Sequence, residues 1–319
     1  MNSTTPGQRF TAARIPDQSG RTAVITGANT GLGFETARML AEHGATVVLA
    51  CRDLGKAAAA AARIRTAAPG AEVRVQHLDL DSLASIHAAA EQLRAEHARI
   101  DLLINNAGGM RTRYAVTEDG FESTFATNHL GPFAFTGLLL DRLTTTPGSR
   151  IVTVSSIGHR RGDIHFDDLQ SEREYRYSTA YFQSKLANLM FTYELQRRLA
   201  AAGAQTIAVA AHPGNAQTEF GRELPRIAQL LLHPGARVIT WWLLQSAAMG
   251  ALASVRAAVD PEARGGDYFG PPGRLQFTGY PAKVESTAKS HDRAAQLRLW
   301  AESERLTKVI YPLAQRVDH

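Results

Sequence analysis

The chain has 319 residues, 44% apolar and 20% charged, the composition of an ordinary soluble globular protein with room for a sizeable core. Its 35 basic and 30 acidic residues leave a net charge of +5 without any block of like charge, which argues against a nucleic-acid-binding face. The one cysteine, Cys51, excludes an intrachain disulfide. No run approaches the ~18 apolar residues of a membrane span, and the polar N-terminus lacks a signal-peptide core. The expectation is a cytoplasmic protein with no membrane span, no nucleic-acid partner and no metal site. The anion to consider is a phosphorylated cofactor.

In chain order, short apolar runs at 22–26, 46–50, 73–78, 100–104, 150–154 and 207–211 read as strands. Stretches such as 34–43, 54–67 and 82–98 read as helices. Near-continuous apolar runs suit parallel strands buried on both faces. Their alternation with helices predicts a doubly wound parallel sheet in three α/β/α layers. A seventh strand is expected at 267–269. We read a single domain over 1–319, its core at about 20–270. Two segments following strand ends, 157–177 and 220–246, are expected to form a substrate loop and lid. The second contains Trp241 and Trp242.

The first strand runs into Thr26-Gly27-Ala28-Asn29-Thr30-Gly31-Leu32-Gly33, and a helix pattern follows. Glycines here let the chain turn tightly and let a pyrophosphate approach the backbone, while the helix N-terminus attracts the anion. Gly27, Asn29, Thr30, Gly31, Leu32 and Gly33 are therefore candidate cofactor contacts. After the second strand comes Cys51-Arg52-Asp53. A carboxylate at the first of these positions would accept from a ribose 2′-hydroxyl, whereas the Arg52 guanidinium can bind a 2′-phosphate. NADP(H) is favoured over NAD(H). Two alternatives stay open: Asp53 as a displaced ribose ligand, and Arg52 as a surface side chain paired with Asp53. Asp79 and Asp81 both compete to cap the following helix.

Tyr181 and Lys185, four residues apart, share one face of a predicted amphipathic helix. A phenol with an ordinary pKa of ~10 needs a nearby cation to act as a base, and lysine one turn away supplies it. The strand at 150–154 ends in Ser155-Ser156, and the sixth strand in His212-Pro213-Gly214.

The Gly-x-x-x-Gly-x-Gly spacing, Asn105-Asn106-Ala107-Gly108 and the ordered Ser156, Tyr181 and Lys185 resemble the short-chain dehydrogenase/reductase family. The resemblance implies a Rossmann-type fold and an NAD(P)-dependent oxidoreductase acting on alcohol or carbonyl groups, with Tyr181 as general acid/base. By the same resemblance, Asp79 and Leu80 face the adenine, and Asn106, Ala107 and Gly108 lie against the adenosine. Pro213, Gly214 and Thr218 lie beside the nicotinamide, where Tyr181 and Lys185 also contact the cofactor. Ser156 holds the reacting oxygen, Ser155 being its structural neighbour, and Asn128 helps position Lys185. The resemblance also implies a homodimer or homotetramer. Ala50-Cys51-Arg52-Asp53 and the stretch 180–188 resemble the retinol-dehydrogenase-like branch, which does not by itself give the substrate. The aromatic segment around Trp241 and Trp242 can line an apolar pocket for a small, hydrophobic substrate, or form a core helix or a subunit interface. A non-catalytic NAD(P)-binding regulator is the alternative; Asn128, Ser156, Tyr181 and Lys185 in order favour the enzyme.

Overall fold

The structure, a computed structural model, describes residues 9–215, 245–273 and 275–313. The apolar runs form β1 (Thr22–Thr26), β2 (Thr46–Cys51), β3 (Val73–His77), β4 (Leu102–Asn105), β5 (Arg150–Val154) and β6 (Ile207–Ala211). With β7 (Tyr268–Gly270) they make a parallel sheet in the order β3-β2-β1-β4-β5-β6-β7, and β8 (Ala282–Lys283) closes it antiparallel to β7. β8 was not anticipated, because two residues carry no pattern.

Side chains along β1 alternate between the two faces of the sheet. Ala23 and Ile25 point into one core with Leu40, Ile64 and Val255. These come from α1 (Gly31–Glu42), α2 (Leu54–Ala67) and, at the C-terminal side, Ala247–Val259. Val24 points into the other core, with Ile86, Phe133 and Leu195. Those residues come from α3 (Leu83–Glu96), α4 (Gly131–Leu138) and α5 (Tyr177–Ala201); α6 (Ala247–Val259) and α7 (Arg293–Thr307) follow. The expected three-layer architecture is present.

Three local expectations are corrected. β3 is not buried on both faces: it is the edge strand, with Arg74 and His77 exposed. β4 starts two residues later than expected, at Leu102; the buried Asp101 before it still bonds Thr22 and Arg150 through its backbone, and its carboxylate accepts the Thr22 amide at 2.9 Å. Helix α5 is not amphipathic along its length, since every residue from Gln183 to Leu195 is buried. It is covered by the sheet on one side and by α7 on another.

Phe133, Phe191, Trp300 and Tyr311 tie α7 to this layer, with ring centroids 4.6 Å apart for Trp300–Tyr311 and 4.9 Å for Phe133–Tyr311. At its edge His129 contacts Ser303 Oγ at 3.0 Å, and burial pushes the imidazole pKa down to about 4. The unfolded chain takes up this proton near ~6.5, whereas the native ring stays neutral well below that value. Stability therefore falls as pH drops from 6.5 towards 4, by roughly 3 kcal/mol for this group. Urea midpoints measured across that range should fall less steeply in His129→Gln; an unchanged slope would refute the assignment. Among the described residues no helix is long and apolar enough to cross a membrane.

Candidate active site

The strand order reverses between β1 and β4, which opens a crevice beyond their carboxyl ends. Gly27 (φ 65°) and Gly31 (φ 56°) adopt the left-handed backbone that lets the chain turn from β1 into α1. A Cβ on Gly33 would lie 2.5 Å from both Asn106 Nδ2 and Gly27 O, so only glycine fits. Thr26 Oγ1 accepts the backbone amides of Asn106 at 3.0 Å and Ala107 at 2.9 Å. Asn106 Nδ2 in turn donates to Thr26 O at 2.9 Å. These bonds lock the two glycine-bearing loops together. No side chain caps α1 at Thr30, so its first-turn amides form an anion-attracting end. The packed glycine cradle and this helix end fit a dinucleotide pyrophosphate.

The crevice is a cleft of about 660 Å³. Its phosphate end is lined by Gly27, Asn29, Thr30, Gly31, Leu32 and Gly33. Arg52, Asp79, Leu80, Asn106, Ala107 and Gly108 line it further along. Ser156, Tyr181, Lys185, Pro213 and Gly214 also line it. Asn128 is fully buried behind this wall. Thr218 and the stretch 220–244, with Trp241 and Trp242, lie outside the described residues.

At the end of the cleft beside β2, Arg52 and Asp53 face different partners. Asp53 caps α2 by accepting the Lys56 amide at 3.0 Å and pairs with Lys56 Nζ at 3.2 Å, and it also lines the cleft. Arg52 does not pair with Asp53. Its Nη1 stands 4.0 Å from Asp79 and 3.9 Å from Asp81, with the side chain 60% exposed. Neither aspartate caps α3: Ser82 does, accepting from the Ser85 amide. Asp79 Oδ1 instead accepts the Asp81 amide at 3.1 Å. Sequence reasoning missed Arg111, which lines the cleft and reaches Asp81 at 3.2 Å. That contact spans 30 residues and leaves no local signal.

At the other end, Ser155 Oγ donates to Lys185 O at 2.7 Å, which makes it structural. Ser156 Oγ accepts the Gly158 amide at 3.1 Å and hydrogen-bonds Tyr181. Lys185 Nζ donates to Val154 O at 3.2 Å and lies 5.7 Å from the Tyr181 ring centroid. Burial pushes the Tyr181 phenol up to about 12, with the Ser156 bond opposing it, and pushes the Lys185 ammonium down to about 8. Loss of water is the largest cause of both shifts.

Asn128 sits on a π-helical turn, Ala126–Leu130, that precedes α4. Such turns often mark functional sites. Its Oδ1 accepts the Gly109 amide at 2.8 Å, while Nδ2 donates to Gly109 O and Ser184 Oγ, both at 2.9 Å. It thereby braces the Gly108–Gly109 backbone against α5, one residue from Lys185. The Gly214 turn (φ 64°) is held by its amide on His212 Nδ1 at 3.2 Å and by Gln245 Nε2 on Pro213 O at 2.6 Å.

A family model described as short chain dehydrogenase matches residues 21–229. The chain is 43% identical over 301 residues to retinol dehydrogenase 13 of Homo sapiens, covering 94% of this chain and 87% of that protein. It is similar to a crystal structure of an uncharacterized protein from Mycobacterium Paratuberculosis, with a TM-score of 0.79 and 43% identity, covering 96% of this chain and all of that one. It is also similar to a candidate NAD(P) dependent gluconate 5-dehydrogenase from Beutenbergia cavernae with bound NADP at low occupancy. There the TM-score is 0.60 and the identity 25%, covering 76% of this chain and 91% of that one.

Proposed function

Because the chain belongs to the short-chain dehydrogenase/reductase family, retinol-dehydrogenase-like branch, we propose a specific division of labour among its cleft residues. The protein is an NAD(P)-dependent oxidoreductase acting on alcohol or carbonyl groups. One observation carries the proposal: the Tyr181 phenol, the Ser156 hydroxyl and the Lys185 ammonium line the same cleft as the glycine cradle.

When bound, the nicotinamide supplies the hydride for carbonyl reduction or takes it up in alcohol oxidation. Gly27, Asn29, Thr30, Gly31, Leu32 and Gly33 would hold the pyrophosphate and neighbouring riboses. Asp79, Leu80, Asn106, Ala107 and Gly108 would hold the adenosine. Pro213 and Gly214 would flank the nicotinamide.

In the reductive direction Tyr181 donates its proton to the carbonyl oxygen, and in oxidation it removes the hydroxyl proton. Ser156 donates to that oxygen and fixes its position, while its own oxygen accepts the Gly158 amide, which holds the hydroxyl in place. Lys185 favours the phenolate electrostatically and reaches the ribose side of the cleft. Asn128 keeps the backbone beside Lys185 in place.

Arg52 supports NADP(H) as the cofactor. It is the exposed guanidinium at the end of β2, and the carboxylate of Asp53, which also lines the cleft, is engaged as the cap of α2 and by Lys56. Titrating nicotinamide fluorescence is expected to show NADPH bound about 10- to 100-fold more tightly than NADH, from the ~1.5–3 kcal/mol of a charge-assisted hydrogen bond. Arg52→Ala is expected to abolish that difference by weakening NADPH alone. Equal affinities in the unaltered protein would overturn the NADP assignment.

The substrate is a hydrophobic aldehyde, ketone or secondary alcohol. Met110 and Ile157 add apolar lining to the cleft, and the likeness to retinol dehydrogenase 13 points the same way. A panel of retinal, nonanal and benzaldehyde against polar sugars and hydroxy acids tests this. Turnover of the polar compounds alone would refute it. We also propose a cytoplasmic homodimer or homotetramer; a monomer in sedimentation equilibrium would refute the assembly.

A further inference from the structure

We infer that His159 is a positioning residue for Ser156, through which the C-terminal segment around Thr287 sets the serine's geometry. The inference rests on the catalytic reading of Ser156 given above.

Ser156 opens a 3-10 turn, Ile157–Arg161, and its carbonyl accepts two bonds from the same residue. The His159 backbone amide donates at 3.0 Å and His159 Nδ1 at 2.6 Å. A carbonyl can only accept, so the hydrogen of the neutral ring is on Nδ1 and Nε2 is left as an acceptor. At Nε2 stands the matching donor, the Thr287 backbone amide, at 3.4 Å. The ring therefore spans from the catalytic serine's backbone to a residue 128 positions away, and both nitrogens are used. It is fully buried, and Tyr268 covers it edge-on at 5.7 Å between centroids. Desolvation keeps it neutral, with a pKa lowered to about 4.

The turn packs tightly on the helix that carries Tyr181. A Cβ on Gly158 would come within 2.7 Å of the Phe182 ring, and one on Gly162 within 2.5 Å of Phe182 O. Phe182 follows Tyr181 in the chain, so the turn is seated directly on the first turns of α5. Lys289 holds the far end of the same turn, at Gly162 O and Asp163. The serine is thus held on one side by the helix carrying Tyr181 and on the other by the segment ending in Lys289. His159 is the link between that segment and the serine's own carbonyl. Losing it lets the Ser156 carbonyl, and with it Oγ, move relative to the phenol.

Three variants separate positioning from bulk packing. Asn at 159 can place an amide N–H where Nδ1 stands, Gln reaches only towards Nε2, and Leu does neither. With NADPH and the aldehyde that the unaltered protein reduces fastest among retinal, nonanal and benzaldehyde, His159→Leu and His159→Gln are expected to lower kcat by about 10- to 100-fold. His159→Asn is expected to stay within about threefold of the original kcat. Aldehyde KM and NADPH Kd are expected to change by less than about threefold in all three, because no cofactor contact is touched.

If His159→Leu does not fold, the Asn and Gln pair decides. Equal kcat values for Asn and Gln, or an unaltered kcat in His159→Leu, overturn the inference. Nitrogen NMR of the unaltered protein gives an arm independent of turnover: a neutral Nδ1–H tautomer is expected at pH 7, and an Nε2–H tautomer overturns the placement. A protein that reduces none of the aldehydes yet shows the Nδ1–H tautomer contradicts the substrate reading and leaves the brace standing. Ser156→Ala, run beside the series, marks the loss that a displaced serine can at most produce.

Discussion

Tyr181→Phe is expected to lower kcat by about 10²- to 10⁴-fold, the usual contribution of a positioned general acid or base. The substitution removes one oxygen and leaves the ring in place. Tyr181 remains partly open to the cleft, while enough of it is packed to raise the phenol to about 12. At neutral pH the group is therefore a protonated acid, suited to delivering a proton to a carbonyl oxygen. The reverse reaction needs the phenolate, so alcohol oxidation is expected to accelerate with rising pH while reduction does not. NADPH affinity is expected to stay within about twofold, because the cradle at Gly27–Gly33 is untouched. Steady-state rates and a fluorescence titration check both halves. Turnover within tenfold of the original protein would remove Tyr181 from the chemistry.

The second large effect is expected at Gly33. Alanine there puts a methyl 2.5 Å from Asn106 Nδ2 and from Gly27 O, well inside contact distance. Asn106 cannot withdraw without giving up its 2.9 Å bond to Thr26 O, and Gly27 O belongs to the turn itself. The strain is expected to cost about 1–3 kcal/mol of stability. Displacement of the helix end by part of an ångström is expected to weaken NADPH binding by about 100-fold. Gly55→Ala is the control: its new Cβ would meet only Asp53 Oδ1, at an ordinary 3.4 Å, within α2. It is expected to be neutral or to stabilise by roughly 0.4–1 kcal/mol. Wild-type NADPH affinity in Gly33→Ala would show that the cradle does not hold the cofactor.

Much of this protein was decided by local pattern alone. Apolar runs such as Thr22–Thr26 and Ile207–Ala211 can be satisfied only inside a sheet covered on both faces. The glycines after β1, where positive φ is needed, announce a tight turn to anyone reading the chain. The i, i+4 spacing of Tyr181 and Lys185 is a property of one helix, so their common face was legible before any packing was known.

Only the tertiary structure decided the rest, because the deciding contacts join distant residues or depend on exclusion of water. Arg52 faces Asp79 and Asp81 and not its neighbour Asp53, since α2 claims Asp53 as its cap. Ser82 displaced both aspartates as the cap of α3 because Asp79 turns back to the Asp81 amide. The phenol of Tyr181 rises and the ammonium of Lys185 falls, because burial removes water from both. His159 looks unremarkable in the chain, and its meaning comes from Thr287, which the fold brings to it across 128 residues. Spacing in sequence determines which side chains share an element; desolvation and long-range pairing determine what those side chains can do.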